Sequence, residues 1–187
     1  MNQERIVVSG GPGTGKTSVI LALEASGFFC FHEIIRSMTL KAKEEGDTSS
    51  FASNPIASVS DPLRFNQRIL DGRRDHFLKA TEVKEPFVFY DRGLPDVLAY
   101  MDFFDQSYEK NFVTVCEEHT YDKVFLLPPW EEIYVSDNER FESYEEAILI
   151  HDCLVSTYLR FGYSPLIVPK GSVKERVTFV LQQIKSG

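Results

Sequence analysis

An α/β fold, with a parallel sheet covered by helices on both faces, is what this sequence predicts, and three observations predict it. Short apolar runs alternate along the chain with segments of helical periodicity. The short runs are continuously apolar, as strands buried on both faces must be. The first of them passes through a glycine-rich turn straight into a helix, the opening of a βα unit. A chain of 187 residues can bury a full core, and residues 1–187 are expected to form one domain.

Each element has its own signal. Arg5–Ser9 reads as the first strand, and Ser18–Ala25 as a helix closed by Gly27. Phe28–His32 reads as a second buried strand. Glu33–Glu45 follows as a helix with Ile34, Ile35, Met38 and Ala42 roughly on one side. The turn-forming stretch Gly46–Pro55 is long for a loop in a compact domain, so it is either mobile or functional. Asp61 caps, and Pro62 opens, a helix that runs to about Val83. Pro86–Asp91 is a third buried strand, ending in an acid. Leu94–Phe104 and Tyr108–His119 are helical, and Lys123–Leu127 is a fourth strand stopped by Pro128 and Pro129. A charged stretch, Trp130–Glu142, precedes the capping box Ser143–Glu146, which opens a helix to about Phe161. Leu166–Val168 is the fifth strand, and a second capping box, Ser172–Glu175, opens the last helix.

Bulk properties narrow the function. Hydrophobic residues make up 43% and charged residues 26%, ordinary for a soluble globular chain. The net charge of −8 argues against a broad surface for nucleic acid or an anionic membrane. Cys30, Cys116 and Cys153 are widely spaced and read as small core hydrophobes in a reducing compartment. Met1–Arg5 leads into the first strand with no signal peptide, and no apolar run approaches a bilayer span, so a cytoplasmic chain is expected. His32, His76, His119 and His151 show no metal-ligand spacing.

The turn after the first strand, Gly10-Gly11-Pro12-Gly13-Thr14-Gly15-Lys16-Thr17, is a complete G-x-x-x-x-G-K-[ST] phosphate-binding loop. Its glycines let backbone N–H groups wrap a phosphate, and the helix N-terminus adds a positive dipole end. Lys16 can reach the β- and γ-phosphates, and the Thr17 hydroxyl can ligate Mg²⁺. The expected nucleotide-binding set runs from Gly10 through Thr17 to Ser18. The cofactors expected are ATP and Mg²⁺; ATP is preferred to GTP because the chain has no N-K-x-D string.

Ligands of such sheets bind at the carboxyl ends of the strands, so residues there are the next candidates. Asp91 ends the third strand and either holds Mg²⁺ with Thr17 or caps the next helix. Arg92 either binds a phosphoryl group bidentately or makes a buried pair with a neighbouring acid. Glu33 either accepts the proton of a substrate hydroxyl or is a first-turn acid favoured by the helix dipole. Arg36 can pair with Glu33 or bind an anion. Arg140, in a segment over 128–142 that can close as a lid, either neutralises charge in the transition state or is a solvated surface charge. Arg64, Gln67, Arg68, Arg73 and Arg74 on the helix after Asp61 read as a solvated face in preference to an acceptor pocket.

With these residues in view, the chain resembles, end to end, the NadR-like AAA-type ATPase/kinase family of small P-loop domains. The resembling pieces are Ser9–Thr17, Glu33-Ile34-Ile35-Arg36, Asp91-Arg92-Gly93-Leu94-Pro95-Asp96, Phe125–Trp130 and Gly171–Arg176. The resemblance implies a nucleoside- and nucleotide-kinase-like core with a five-stranded sheet in the order 2-3-1-4-5. It implies Glu33 as base, Asp91 and Arg92 for metal and phosphate, Arg140 in a closing lid, and Gly171 and Ser172 against the adenine. The NAD-regulator branch phosphorylates nicotinamide riboside; another, similar to the TRP translocation-defect protein, binds GTP and a phosphoinositide.

Two functions follow as expectations. The first is a kinase that moves the γ-phosphoryl group of ATP to a hydroxyl of a nucleoside-like or other small acceptor, with Lys16, Glu33, Asp91, Arg92 and Arg140 as catalytic residues. The second is a nucleotide-dependent switch or slow ATPase or GTPase acting on a protein or lipid partner, in which the 46–60 loop changes order. An oligomeric AAA+ motor fits less well, because the chain has no room for its helical lid domain.

Overall fold

A computed structural model describes residues 3–35, 61–134 and 142–185 of the chain. Among these, the strands are β1 (Glu4–Gly10), β2 (Phe29–Phe31), β3 (Phe87–Asp91), β4 (Lys123–Leu127) and β5 (Leu166–Ile167). The helices are α1 (Lys16–Ala25), α2 (Pro62–Lys79), α3 (Pro95–Phe103), α4 (Lys110–Glu118), α5 (Tyr144–Arg160) and α6 (Val173–Lys185). The strands form one parallel sheet in the order β2-β3-β1-β4-β5, the order that the resemblance implied.

Alternation along the central strands divides the core in two. Ile6, Val8, Phe89, Phe125 and Leu127 face α1 and α6, where they meet Val19, Leu23, Val177 and Val180. Val7, Val88, Tyr90, Val124 and Leu126 face the other way, against Ile69, Leu98, Phe112 and Leu154 of α2, α3, α4 and α5. Both faces are covered, which is why these strands carry no polar alternation.

The edges depart from the expectation. β2 was expected to be a buried strand, but its Phe29 is exposed, and so is Ile167 of β5. Each lies on a border strand paired on one side only.

The capping signals are where the sequence puts them. The Asp61 side chain accepts from the Arg64 N–H at 3.0 Å. In the Ser143 box, the Glu146 carboxylate accepts from the Ser143 N–H at 2.6 Å, and the Ser143 hydroxyl accepts from the Glu146 N–H at 3.1 Å. In the second box, Glu175 accepts from the Ser172 N–H at 2.8 Å. Most of the helix expected over 33–45, with Arg36, the 46–60 stretch, and Asp137, Asn138, Glu139 and Arg140 lie outside the described residues. No described helix is long and apolar enough to cross a membrane.

Candidate functional site

Strand register brings the candidate residues to one edge of the sheet. Val8 of β1 lies level with Asp91 of β3, so the phosphate loop starts beside the end of β3. Phe31 of β2 lies level with Tyr90, which sets Glu33 beside Asp91 and Arg92. On the other flank Gly10 lies level with Leu127, so the segment after β4 runs past the loop.

The Lys16 ammonium pairs with the Asp91 carboxylate, and both side chains are buried. Burial, helped by the nearby Arg92 charge, pulls the Lys16 pKa down, against Asp91 and Glu33, which push it up. Asp91 does not cap the next helix: Leu94 holds the cap position of α3 without a side-chain bond. Thr17 is half-buried and Ser18 exposed in the first turn of α1. The Tyr134 ring lies against Gly13, and its hydroxyl donates to the Glu142 carbonyl.

Arg92 is one of two described non-glycine residues with a left-handed backbone, at φ 76°. A conformation of that kind costs about 1–3 kcal/mol and persists only where the surroundings enforce it. The Arg92 N–H donates to the Val8 carbonyl at 3.1 Å. Its guanidinium meets Glu33 at 2.6 Å and Asp96 at 3.3 Å. Arg73 holds the other Glu33 oxygen at 3.2 Å and donates to the Gly93 carbonyl at 3.0 Å. Burial alone would raise the Glu33 pKa, but Arg73, Arg92 and Lys16 bring it down to about 2. Glu33 is therefore ionised at neutral pH.

Asp96 is fully buried at the start of α3 and is the hub of this cluster. One carboxylate oxygen accepts from the Ser9 hydroxyl and from Arg92. The other accepts from the Gly93 N–H at 2.9 Å and the Tyr158 hydroxyl at 2.5 Å. Gly93 has no room for a side chain, since a Cβ would stand 2.6 Å from the Tyr158 oxygen. Burial and Asp96 together push the Tyr158 phenol well up, so it stays a donor.

Three residues here were not given their place by the sequence. Arg73 is buried, not solvated, although Arg64 and Arg68 of the same helix are exposed. The signal was present, because Arg73 falls in register with the apolar stripe of Ile69, Leu70 and Phe77. Asp96 stands within the apolar run Leu94–Ala99, where a lone acid implies a buried partner. Arg176 falls on the stripe of Val173, Val177, Val180 and Ile184, and its guanidinium donates to the Thr14 carbonyl of the phosphate loop at 2.7 Å. Ser172, four residues before it, caps α6, and Gly171 is half-buried.

A family model described as an AAA domain matches residues 5–176. No curated protein sequence matches the chain. Among solved structures, deoxyadenosine kinase from M. mycoides with bound dATP is 13% identical, with a TM-score of 0.65, covering 97% of this chain and 99% of that one. NadR protein in complex with NR is 16% identical, with a TM-score of 0.73, covering 98% of this chain and 50% of that one. Thymidylate kinase from Ehrlichia chaffeensis is 12% identical, with a TM-score of 0.64, covering 98% of this chain and all of that one. At these identities the likeness is one of fold.

Proposed function

The chain belongs to the AAA domain family, and we propose that it is a P-loop phosphotransferase that moves the γ-phosphoryl group of ATP to a hydroxyl of a nucleoside-like small acceptor. The observation that carries this reading is the placement of Glu33. An ionised carboxylate stands beside the phosphate loop, clamped by Arg92, whose neighbour in sequence is Asp91. A hydrolase needs only a water at that edge, whereas a fixed acid with a fixed arginine suits a positioned hydroxyl.

The chemistry follows from the residues. The N–H groups of Gly13, Gly15 and Lys16 cradle the phosphates, and Lys16 exchanges its pairing with Asp91 for the γ-phosphate. Asp91, freed from Lys16, and Thr17 offer hard oxygens that suit Mg²⁺, which characteristically takes one or two carboxylates with substrate phosphates and water. That ion would neutralise charge on the β- and γ-oxygens. A carboxylate has about four lone-pair directions, so Glu33 can hold both arginines and still accept from an acceptor hydroxyl. With a pKa of about 2, Glu33 is a weak base, but phosphoryl transfer is loose and asks little proton transfer before the P–O bond forms. Arg92 can shift part of its contact from Glu33 to the transferred group, and Arg140 would close over it from the 128–142 segment. Gly171 and Ser172 would flank the base. The chain would work as one domain, in the cytoplasm, where its three cysteines stay as the free thiols the structure contains.

The test is ATP consumption with Mg²⁺ across a panel of nucleosides, nicotinamide riboside and deoxyadenosine included, with detection of the phosphorylated product. One compound should stimulate turnover strongly, Lys16→Ala should abolish it, and Glu33→Gln should keep ATP binding while losing transfer. Slow turnover that no compound stimulates would replace this reading with the switch or NTPase.

A further inference from the structure

A phosphate loop works only if its peptide planes are turned so that N–H groups face the ligand and carbonyls face away. In a trans peptide the carbonyl and the N–H point in opposite directions, so fixing one fixes the other. We propose that Arg176, on the last helix, is the positioning residue that sets this orientation at the peptide joining Thr14 to Gly15. The inference rests on the reading that the loop binds a nucleoside triphosphate.

Four observations carry it. The Arg176 guanidinium donates to the Thr14 carbonyl at 2.7 Å across 162 residues of sequence, which aims the Gly15 N–H to the opposite side. The Thr14 hydroxyl donates to the Gly11 carbonyl at 3.0 Å, so this residue is held at two points. Gly15 has φ 76°, and a Cβ there would stand 3.0 Å from one guanidinium nitrogen and 3.1 Å from the other. The second motif glycine thus serves the left-handed turn and also leaves Arg176 room. Lastly, Arg176 is 5% exposed, with the guanidinium carbon 5.6 Å from the Trp130 ring centre and with its Nε buried and without a hydrogen-bond partner among the described residues.

A cation buried there without a carboxylate is costly unless it does something. Burial lowers the Arg176 pKa, and among the described residues no carboxylate forms an ion pair with its guanidinium behind the loop. That charge adds to the field that draws triphosphate from the front. The Trp130 ring packs near the guanidinium. Arg176 does not touch substrate; it acts through the Gly15 N–H.

The experiment compares Arg176→Met with Arg176→Lys. Methionine keeps an apolar stem beneath Trp130 and removes every donor, whereas lysine returns one. The readouts are the affinity for Mg·ATP and the amide resonances of Gly13, Gly15 and Lys16 in the ligand-free protein. Arg176→Met should weaken Mg·ATP by about tenfold to a hundredfold, the range expected when one charge-assisted contact is lost. It should broaden or shift those amides, leave the acceptor KM within twofold of the parent, and be partly rescued by Arg176→Lys. If Arg176→Met melts near the parent temperature with unchanged Mg·ATP affinity and unchanged loop amides, the proposal is overturned. If it unfolds, the comparison of Arg176→Lys with the parent decides by the same two readouts. A parent chain that binds no Mg·ATP would sink the functional reading, and the loop amides would still decide the brace.

Discussion

Asp96→Asn is the sharpest test of the buried network, because the substitution keeps shape and changes only charge and hydrogen-bond sense. In the parent, each carboxylate oxygen takes one hydroxyl and one N–H: Ser9 with Arg92 on the first, Tyr158 with Gly93 on the second. The hydroxyls can rotate to accept from an amide, but the Arg92 and Gly93 N–H groups cannot. Whichever oxygen becomes NH₂, one fixed donor loses its acceptor and faces another donor. An orphaned buried donor costs about 1–3 kcal/mol. Arg92 also loses one of its two carboxylates, although Glu33 remains at 2.6 Å. The total is about 2–4 kcal/mol, and at roughly 2–4 °C per kcal/mol for a domain of this size the melting temperature should fall by several degrees. Tyr158→Phe removes one donor and leaves the carboxylate three others, so about 1 kcal/mol is expected. Urea melts of the parent and both variants at neutral pH give the comparison. If Asp96→Asn lies within about 0.5 kcal/mol of the parent, the carboxylate is not the hub described here.

Two further outcomes are expected. Gly93→Ala places a methyl group 2.6 Å from the Tyr158 oxygen and 3.0 Å from Val7 Cγ2, and should destabilise by about 1–3 kcal/mol; Tyr158→Phe in the same chain should recover part of that, and a Gly93→Ala melt equal to the parent would refute the close approach. The Glu33 pKa lies at about 2 in the folded chain against an ordinary 4.5, so its contribution to stability is present above about pH 4.5 and is lost as pH falls through about 2. The stability difference between parent and Glu33→Gln should therefore shrink over that window; a difference that is flat from pH 6 to 2.5 would mean that Arg73 and Arg92 do not hold the carboxylate.

Much of this protein is local and therefore legible in the sequence. The strand–loop–helix around Gly10–Thr17, the Asp61 and Ser143 caps, and the apolar runs of β1, β3 and β4 each depend on residues a few positions apart. Backbone preferences and hydrogen-bond needs act at that range, so they leave a pattern. What the pattern could not weigh was the choice between paired readings of one residue. Arg92 read as either a phosphate ligand or a buried ion pair, and the partners of its pairs, Glu33 and Asp96, come only from the packing of the elements. Arg73 read as one arginine among several on a charged helix; its place on the apolar stripe separates it from Arg64, but its partners, Glu33 and the Gly93 carbonyl, come only from the packing.

The sequence by itself determined the α/β class, the phosphate loop and the placement of Asp91 and Glu33 after their strands. The tertiary structure alone decided that Asp96 meets Ser9 across 87 residues and Tyr158 across 62, and that Arg176 reaches Thr14 across 162. The reason is physical. A buried ionic network is specified by which elements pack together, and its partners carry no mutual spacing for a linear pattern to reveal.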